Sequence, residues 1–332
     1  MRSKFILLLF LLFLFFVCDI LFGSVSLPFR DVLTILTGGN GDIIYREIIL
    51  DHRLPKALTA ILTGASLSVA GVLMQTLFRN PLAGPDVLGV TSGAGLGVAL
   101  LTLTTSAIPV FILTGWGQVS AAIIGAVFVL LLVVLVSLKV PQTVSLLIIG
   151  MMFGNFAGAI VSILQSASNP DTLKLFVTWT FGSLSAVGWD YMVIMAPAVL
   201  LGIMIAFILQ KYLNIMLLGE NYAIGLGVSV FRTRLWIIFA TALLAGTSTA
   251  FTGPIAFIGV TIPHIARGFF HSSNHRIIIP ASILCGAIIM LACDLISQLP
   301  GSQGTLPINS VTALFGAPII IWIILQNKTL GN

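Results

Sequence analysis

Two carboxylates, Asp19 and Asp294, are the ionisable side chains that fall inside long apolar stretches of this chain. A charge buried in hydrocarbon is costly, and near a bilayer midplane it marks ion or proton coupling. Both of these lie near the ends of their stretches. That placement fits a carboxylate reached by water or paired with a neighbouring helix, with a transport role as the alternative. His264, directly after Pro263, has the chemistry of a metal or haem ligand, but no second ligand stands at a suitable spacing. It reads as a structural histidine at a helix end, and His271 and His275 read as solvated loop residues. Cys18, Cys285 and Cys293 all fall within apolar stretches, as small buried hydrophobes do, and suggest neither a disulfide framework nor a metal site.

Other chemistry is missing. No G-x-x-x-x-G-K-[ST] run is present to cradle phosphates, so the chain does not hydrolyse ATP by that route. Without H-E-x-x-H, G-x-S-x-G or paired intramembrane aspartates, a membrane-embedded hydrolase has no apparatus. No catalytic residue, metal-ligand set or cofactor bound by this chain is assigned. Uphill movement of a substrate would draw its energy from a partner. The net charge of +5 is spread over many loops instead of forming a stripe, which argues against nucleic acid as a partner.

The elements that must position these residues are membrane spans. Hydrophobic residues make up 58% of the chain and charged residues 8%, against about 25% charged in soluble domains. Nine apolar blocks stand out, at about 5–22, 57–78, 87–111, 119–138, 144–165, 191–209, 235–262, 277–296 and 308–325. Each is near the ~20 residues that carry a helix across hydrocarbon. Arg2 and Lys4 ahead of the first block resemble a signal peptide, but the apolar run is long and no small-residue cleavage site follows directly, so it is read as a retained helix.

The seventh block contains Gly253-Pro254, where a helix should break. Loop charges decide whether it counts once or twice, because Lys and Arg gather on the cytoplasmic side. With the block split and the N-terminus inside, Arg2, Lys4, Arg79, Lys139, Lys211, Arg232, Arg234, Arg267, Arg276 and Lys328 lie inside, ten of the fifteen basic residues. Arg30, Arg46, Arg53, Lys56 and Lys174, the other five, lie outside. Unsplit, the count is seven against eight. The expectation is an all-α integral membrane protein: one domain over 1–332, ten helices, and both termini in the cytoplasm. A short partial helix near 255–267 would be shielded by its neighbours.

Small residues are plentiful within the spans. Gly150, Gly154 and Gly158, four apart, share one helical face, which suits close helix packing. The alternative is that this fifth span lines a translocation path and slides against a partner.

Several stretches then converge on one family. Residues 53–56 read R-L-P-K and 73–97 read L-M-Q-T-L-F-R-N-P-L-A-G-P-D-V-L-G-V-T-S-G-A-G-L-G. Residues 253–267 read G-P-I-A-F-I-G-V-T-I-P-H-I-A-R, 275–280 H-R-I-I-I-P, and 306–318 L-P-I-N-S-V-T-A-L-F-G-A-P. In order and spacing this set closely resembles the FecCD-type permeases of bacterial ABC importers for iron–siderophores, haem and cobalamin, over roughly residues 45–326.

The resemblance implies the ten-helix bundle of a type II ABC importer permease in the plasma membrane. Its partners would be a second permease subunit (identical or not), two cytoplasmic ATPase subunits using ATP and Mg, and an extracytoplasmic substrate-binding protein. The substrate expected is a bulky iron chelate of the siderophore type. Within the cytoplasmic segment 210–234, Leu218, Gly219, Glu220, Ala223, Gly225, Leu226 and Gly227 fall where the family couples to its ATPase. Ala223, Ile224 and Leu226 would give an apolar surface to grip, and Glu220 would sit at the start of a short helix, where a carboxylate is favoured. Arg53 and Lys56 match positions that dock the binding protein. Asn80, Leu82, Thr143 and Ser145 fall at the family's cytoplasmic gate, with Gly150 and Gly154 on the path. Where some relatives have a basic residue four positions after the aspartate, this chain has Gln298, which thins the docking patch. An ion-gradient-driven secondary transporter is the competing reading, and it would require a functional Asp19 or Asp294.

Overall fold

The computed structural model describes residues 1–23, 27–39, 42–104, 114–140, 142–298 and 305–329. All regular elements among them are helical. α1 is Arg2–Leu21, α2 Phe29–Leu36 and α3 Ile43–Glu47, which runs through a π-helical stretch, Ile48–Arg53, into α4, Leu54–Leu77. A 3-10 turn, Pro85–Leu88, precedes α5, Val90–Leu103. Then come α6 (Trp116–Ser137), α7 (Thr143–Ala167), α8 (Pro170–Thr180), α9 (Trp189–Met216) and α10 (Glu220–Gly225). The last four are α11 (Val230–Thr252), α12 (Ile258–Phe270), α13 (His275–Ser297) and α14 (Ile308–Thr329).

The ten predicted spans correspond in order to α1, α4, α5, α6, α7, α9, α11, α12, α13 and α14; positions 105–111 of the third block lie outside the described residues. Cross-links between distant segments define two ends of the bundle. At one, the end rich in Lys and Arg, Lys4 Nζ donates to the Phe269 carbonyl at 2.6 Å and Asn214 Nδ2 to Asn274 Oδ1 at 3.0 Å. At the opposite end Trp189 Nε1 donates to the Leu50 carbonyl at 2.9 Å and Ser183 N to the Thr252 carbonyl at 2.8 Å. The first of these meets a π-helical stretch, where the regular ladder loosens and carbonyls become available.

α4 is the hub. It packs against α9, α11, α12 and α13, and most of its side chains are buried. Its small residues make this possible: a Cβ on Gly64 would lie 2.2 Å from the Gly286 carbonyl oxygen on α13, and one on Gly71 only 1.7 Å from that of Gly259 on α12. Backbone thus meets backbone on two neighbours, the close approach that drives helix association in lipid. α1 and α7 lie at the periphery and bury few of their side chains.

The chain breaks at Gly253-Pro254 as expected. Gly253 holds φ 74°, a left-handed conformation that favours glycine, and its missing Cβ would meet the Trp179 carbonyl at 2.5 Å. Backbone freed at the break is bonded elsewhere: Ala256 N donates to Asn309 Oδ1 at 3.1 Å. The following helix, α12, has 13 residues, about 20 Å long against ~30 Å of hydrocarbon. It is shielded by α4, α13 and α14.

Candidate functional site

The segment joining α9 to α11 at the basic end is shaped by glycine. Gly219, at φ 119°, turns the chain into α10. Ala223 is fully buried against Val228 and Val230. Here the structure corrects the expected gripping surface: Ala223 faces inward because it clamps α10 to the bundle, and the exposed apolar tip is Leu218, Tyr222, Ile224 and Leu226.

Glu220, in the first turn of α10, is held by Arg234 of α11, with Nη2 3.4 Å from Oε1. The same guanidinium reaches the Val140 carbonyl, also at 3.4 Å, in the connection between α6 and α7. Arg234, which the sequence marks only as one basic residue among many, therefore links the α10 segment to the loop that leads into Thr143 and Ser145. Those two open α7, where Ser145 Oγ donates to Gln142 Oε1 at 3.3 Å.

Asn80 folds the neighbouring loop on itself, its Oδ1 accepting from Leu82 N at 2.9 Å, and leaves Leu82 exposed. Between them, the Pro81 carbonyl lies 2.7 Å from His264 Nε2, so that histidine ties the loop to α12. The loop continues into the 3-10 turn, whose Val87 carbonyl stands 2.2 Å from where a Cβ on Gly150 would be. Gly154 meets Ser92 in the same way at 3.2 Å. Both glycines serve packing within this chain, while Gly158 has nothing within 4 Å of its missing Cβ. The outward side of α7 carries Ile148, Met152, Phe156 and Ile163.

His275 is not a solvated loop residue. It is buried as the first residue of α13, its Nδ1 and backbone N both 2.8–2.9 Å from Asn214 Oδ1, with Nε2 2.8 Å from Thr76 Oγ1. The helix starts earlier than the apolar block does, which carries the ring under α4.

At the opposite end the docking pair also departs from expectation. Arg53 and Lys56 are each only 6% exposed. Lys56 Nζ lies 2.7 Å from Asp294 Oδ2 and 3.8 Å from Asp19 Oδ1, tying α4 to α13 and α1. Arg53 donates to the Ile20 and Leu21 carbonyls at 2.7 and 2.9 Å. Gln298 Nε2 completes the cluster, donating to Asp294 Oδ2 at 2.6 Å. Of the two placements open for the aspartates, pairing with a neighbouring helix is the one observed. Arg53, Lys56, Asp294 and Gln298 line one wall of a cleft of about 540 Å³. A second cleft of about 630 Å³, lined by Trp179, Tyr191 and Phe251, shares Gly182 and Ser183 with it.

Comparisons with known proteins agree with this architecture. The model of the FecCD transport family matches residues 9–326. The vitamin B12 import system permease protein BtuC of Vibrio cholerae is 36% identical over 85% of this chain and 84% of its own length. The hemin transport system permease protein HmuU of Yersinia pestis is 31% identical over 92% of this chain and 90% of its own. A solved structure described as an inward-facing conformation of a metal-chelate type ABC transporter superposes with a TM-score of 0.87 at 31% identity, covering 98% of this chain and 100% of that one. The family match spans nearly every helix described above, and the chain belongs to the FecCD transport family, the membrane-spanning permeases of ABC importers.

Proposed function

We propose that this permease moves an iron(III)–siderophore-type chelate across the plasma membrane, powered by separate ATPase subunits. The observation that carries the energy coupling is the exposed apolar tip of α10, clamped by Ala223 and linked through Arg234 toward the α6–α7 loop. Such a tip suits insertion into a cleft of an ATPase, whose ATP- and Mg-driven closure would pull on Arg234 and hence on the loops carrying Asn80, Leu82, Thr143 and Ser145. The end bearing this tip holds the excess of basic residues, which supports its placement in the cytoplasm together with both termini. A second permease subunit would cover the outward apolar side of α7. An extracytoplasmic binding protein would deliver cargo to the clefts at the opposite end. For Arg53 and Lys56 to dock it, a carboxylate of that protein must take the place Asp294 holds beside Lys56. The likeness to the metal-chelate type transporter supports the cargo class. The likeness to BtuC and HmuU supports cobalamin and haem as the second reading.

The test is uptake of radioiron–siderophore, labelled cobalamin and haem by cells carrying this chain with its ATPase and binding protein. Iron uptake that disappears on removing the ATPase, and in Glu220→Arg at equal expression, is the expected result. Uptake of cobalamin or haem in place of iron overturns the cargo. Uptake that persists without the ATPase and collapses with the proton gradient overturns the mechanism.

A further inference from the structure

At the basic end, a pocket of about 270 Å³ opens between the ends of α4, α9, α12 and α13. Gln75, Thr76, Arg79, Arg267, Ser273 and His275 supply its polar wall. Its two guanidiniums are oriented without being neutralised. Gln75 Oε1 accepts from Arg267 Nη1 while its Nε2 donates to the Val260 carbonyl at 3.0 Å, so a neutral amide fixes the direction of the charge. Among the described residues Arg79 Nη2 reaches a carbonyl, that of Leu217, at 3.4 Å. The ion pairs among the described residues involve Lys56 and Arg234, and neither Arg79 nor Arg267 takes part in one. Glu220, the acidic residue of the adjoining α10, is occupied by Arg234.

The backbone points the same way. Arg79 holds φ 48° just after the end of α4, a position where glycine is the usual residue. For a side chain with a Cβ this conformation is unfavourable, and the arginine that adopts it lines the same pocket as Arg267 of α12. Two guanidiniums that have no acidic partner among the described residues line this partly enclosed polar space, an arrangement that suits an anion. The fork of a guanidinium matches phosphate oxygens two at a time. The space, at about 270 Å³, is at the small end for a ligand site, which suits a headgroup better than a bulky chelate.

We propose that this pocket binds a phosphate oxyanion, and that the headgroup of an anionic phospholipid supplies it. Basic pockets between spanning helices on the cytoplasmic side are where such headgroups bind, and on the orientation proposed above this one lies on that side, at the ends of four spanning helices. Arg79 also stands beside Gly219, its guanidinium nitrogens 3.7–3.8 Å from where a Cβ would be. An occupied pocket would therefore brace the first residues of the α10 segment.

The experiment uses the full chain in phosphatidylcholine nanodiscs, with and without phosphatidylglycerol, followed by native mass spectrometry. Preferential retention of phosphatidylglycerol is expected, falling about 30-fold in Arg79→Gln/Arg267→Gln, on the scale of about 1 kcal/mol per basic residue. Arg276→Gln, an exposed cation at the same end, should retain the lipid as the wild type does. If the double variant does not fold, Arg79→Gln alone, at an exposed residue, should lower retention about fivefold. Equal retention in wild type and the arginine variants overturns the site. If glycerol phosphate added to phosphatidylcholine discs raises the unfolding temperature as much as phosphatidylglycerol does, the anion site stands and the lipid source is overturned.

Discussion

Replacing Lys56 by Met would leave two buried carboxylates facing each other without the cation that stands against both. Lys56 Nζ is 2.7 Å from Asp294 and 3.8 Å from Asp19, and all three side chains are less than a tenth exposed. At an effective dielectric of about 20 the two attractions are about 6 and 4 kcal/mol. Desolvating three charges offsets most of that sum, so the informative quantity is the cost of removing one partner. For a buried pair that cost is about 3–5 kcal/mol. Spread over 332 residues, a loss of about 4 kcal/mol lowers the unfolding temperature by about 6 °C. Tryptophan fluorescence of the purified chain on heating is the assay. The control is the triple replacement Asp19→Leu/Lys56→Met/Asp294→Leu, which removes Lys56 together with both carboxylates, leaves Arg53 bonded to the Ile20 and Leu21 carbonyls, and should unfold later than Lys56→Met, since apolar replacement of buried ion partners together is often near neutral. If Lys56→Met unfolds no earlier than the triple variant, Lys56 is not compensating the aspartates and the reasoning fails.

Gly71→Ala should destabilise by about 3 kcal/mol, because its Cβ would lie 1.7 Å from a backbone oxygen that cannot step aside. Gly158→Ala, with nothing within 4 Å, should be neutral or stabilising by up to about 1 kcal/mol; thermal unfolding of the two variants side by side checks the contrast. Arg234→Glu should impair ATP-driven uptake, and the charge exchange Glu220→Arg/Arg234→Glu should recover part of it. A coupling energy of about 1 kcal/mol in that double-mutant cycle is expected for a partly exposed pair; strict additivity of the two single losses would disprove the link.

Hydropathy and loop charge foresaw ten helical segments and the break at Gly253-Pro254; all ten are helices, and among the described residues seven of them are long and apolar enough to cross a membrane. Both signals are local: each residue's transfer free energy and the backbone limits of Gly and Pro act wherever the residue sits. The motif order pointed to the family, and through it to the α10 segment. The stretches 29–36, 43–56 and 170–180 were not foreseen as helical, since none contains an apolar run long enough to register. The partners of charges were likewise invisible. Arg53 and Lys56 looked like surface cations at the head of a span, yet Lys56 meets Asp19 and Asp294 from α1 and α13, and Arg53 meets the end of α1. His275 turned out buried for the same kind of reason, meeting Thr76 from another part of the chain, whereas Ala223 is covered by Val228 and Val230 just beyond its own short helix. Which helices become neighbours is decided by where backbones can approach, through pairs such as Gly64 with Gly286 and Gly71 with Gly259. A spacing of four along one helix announces a face fit for contact, but only the packed bundle selects what that face meets.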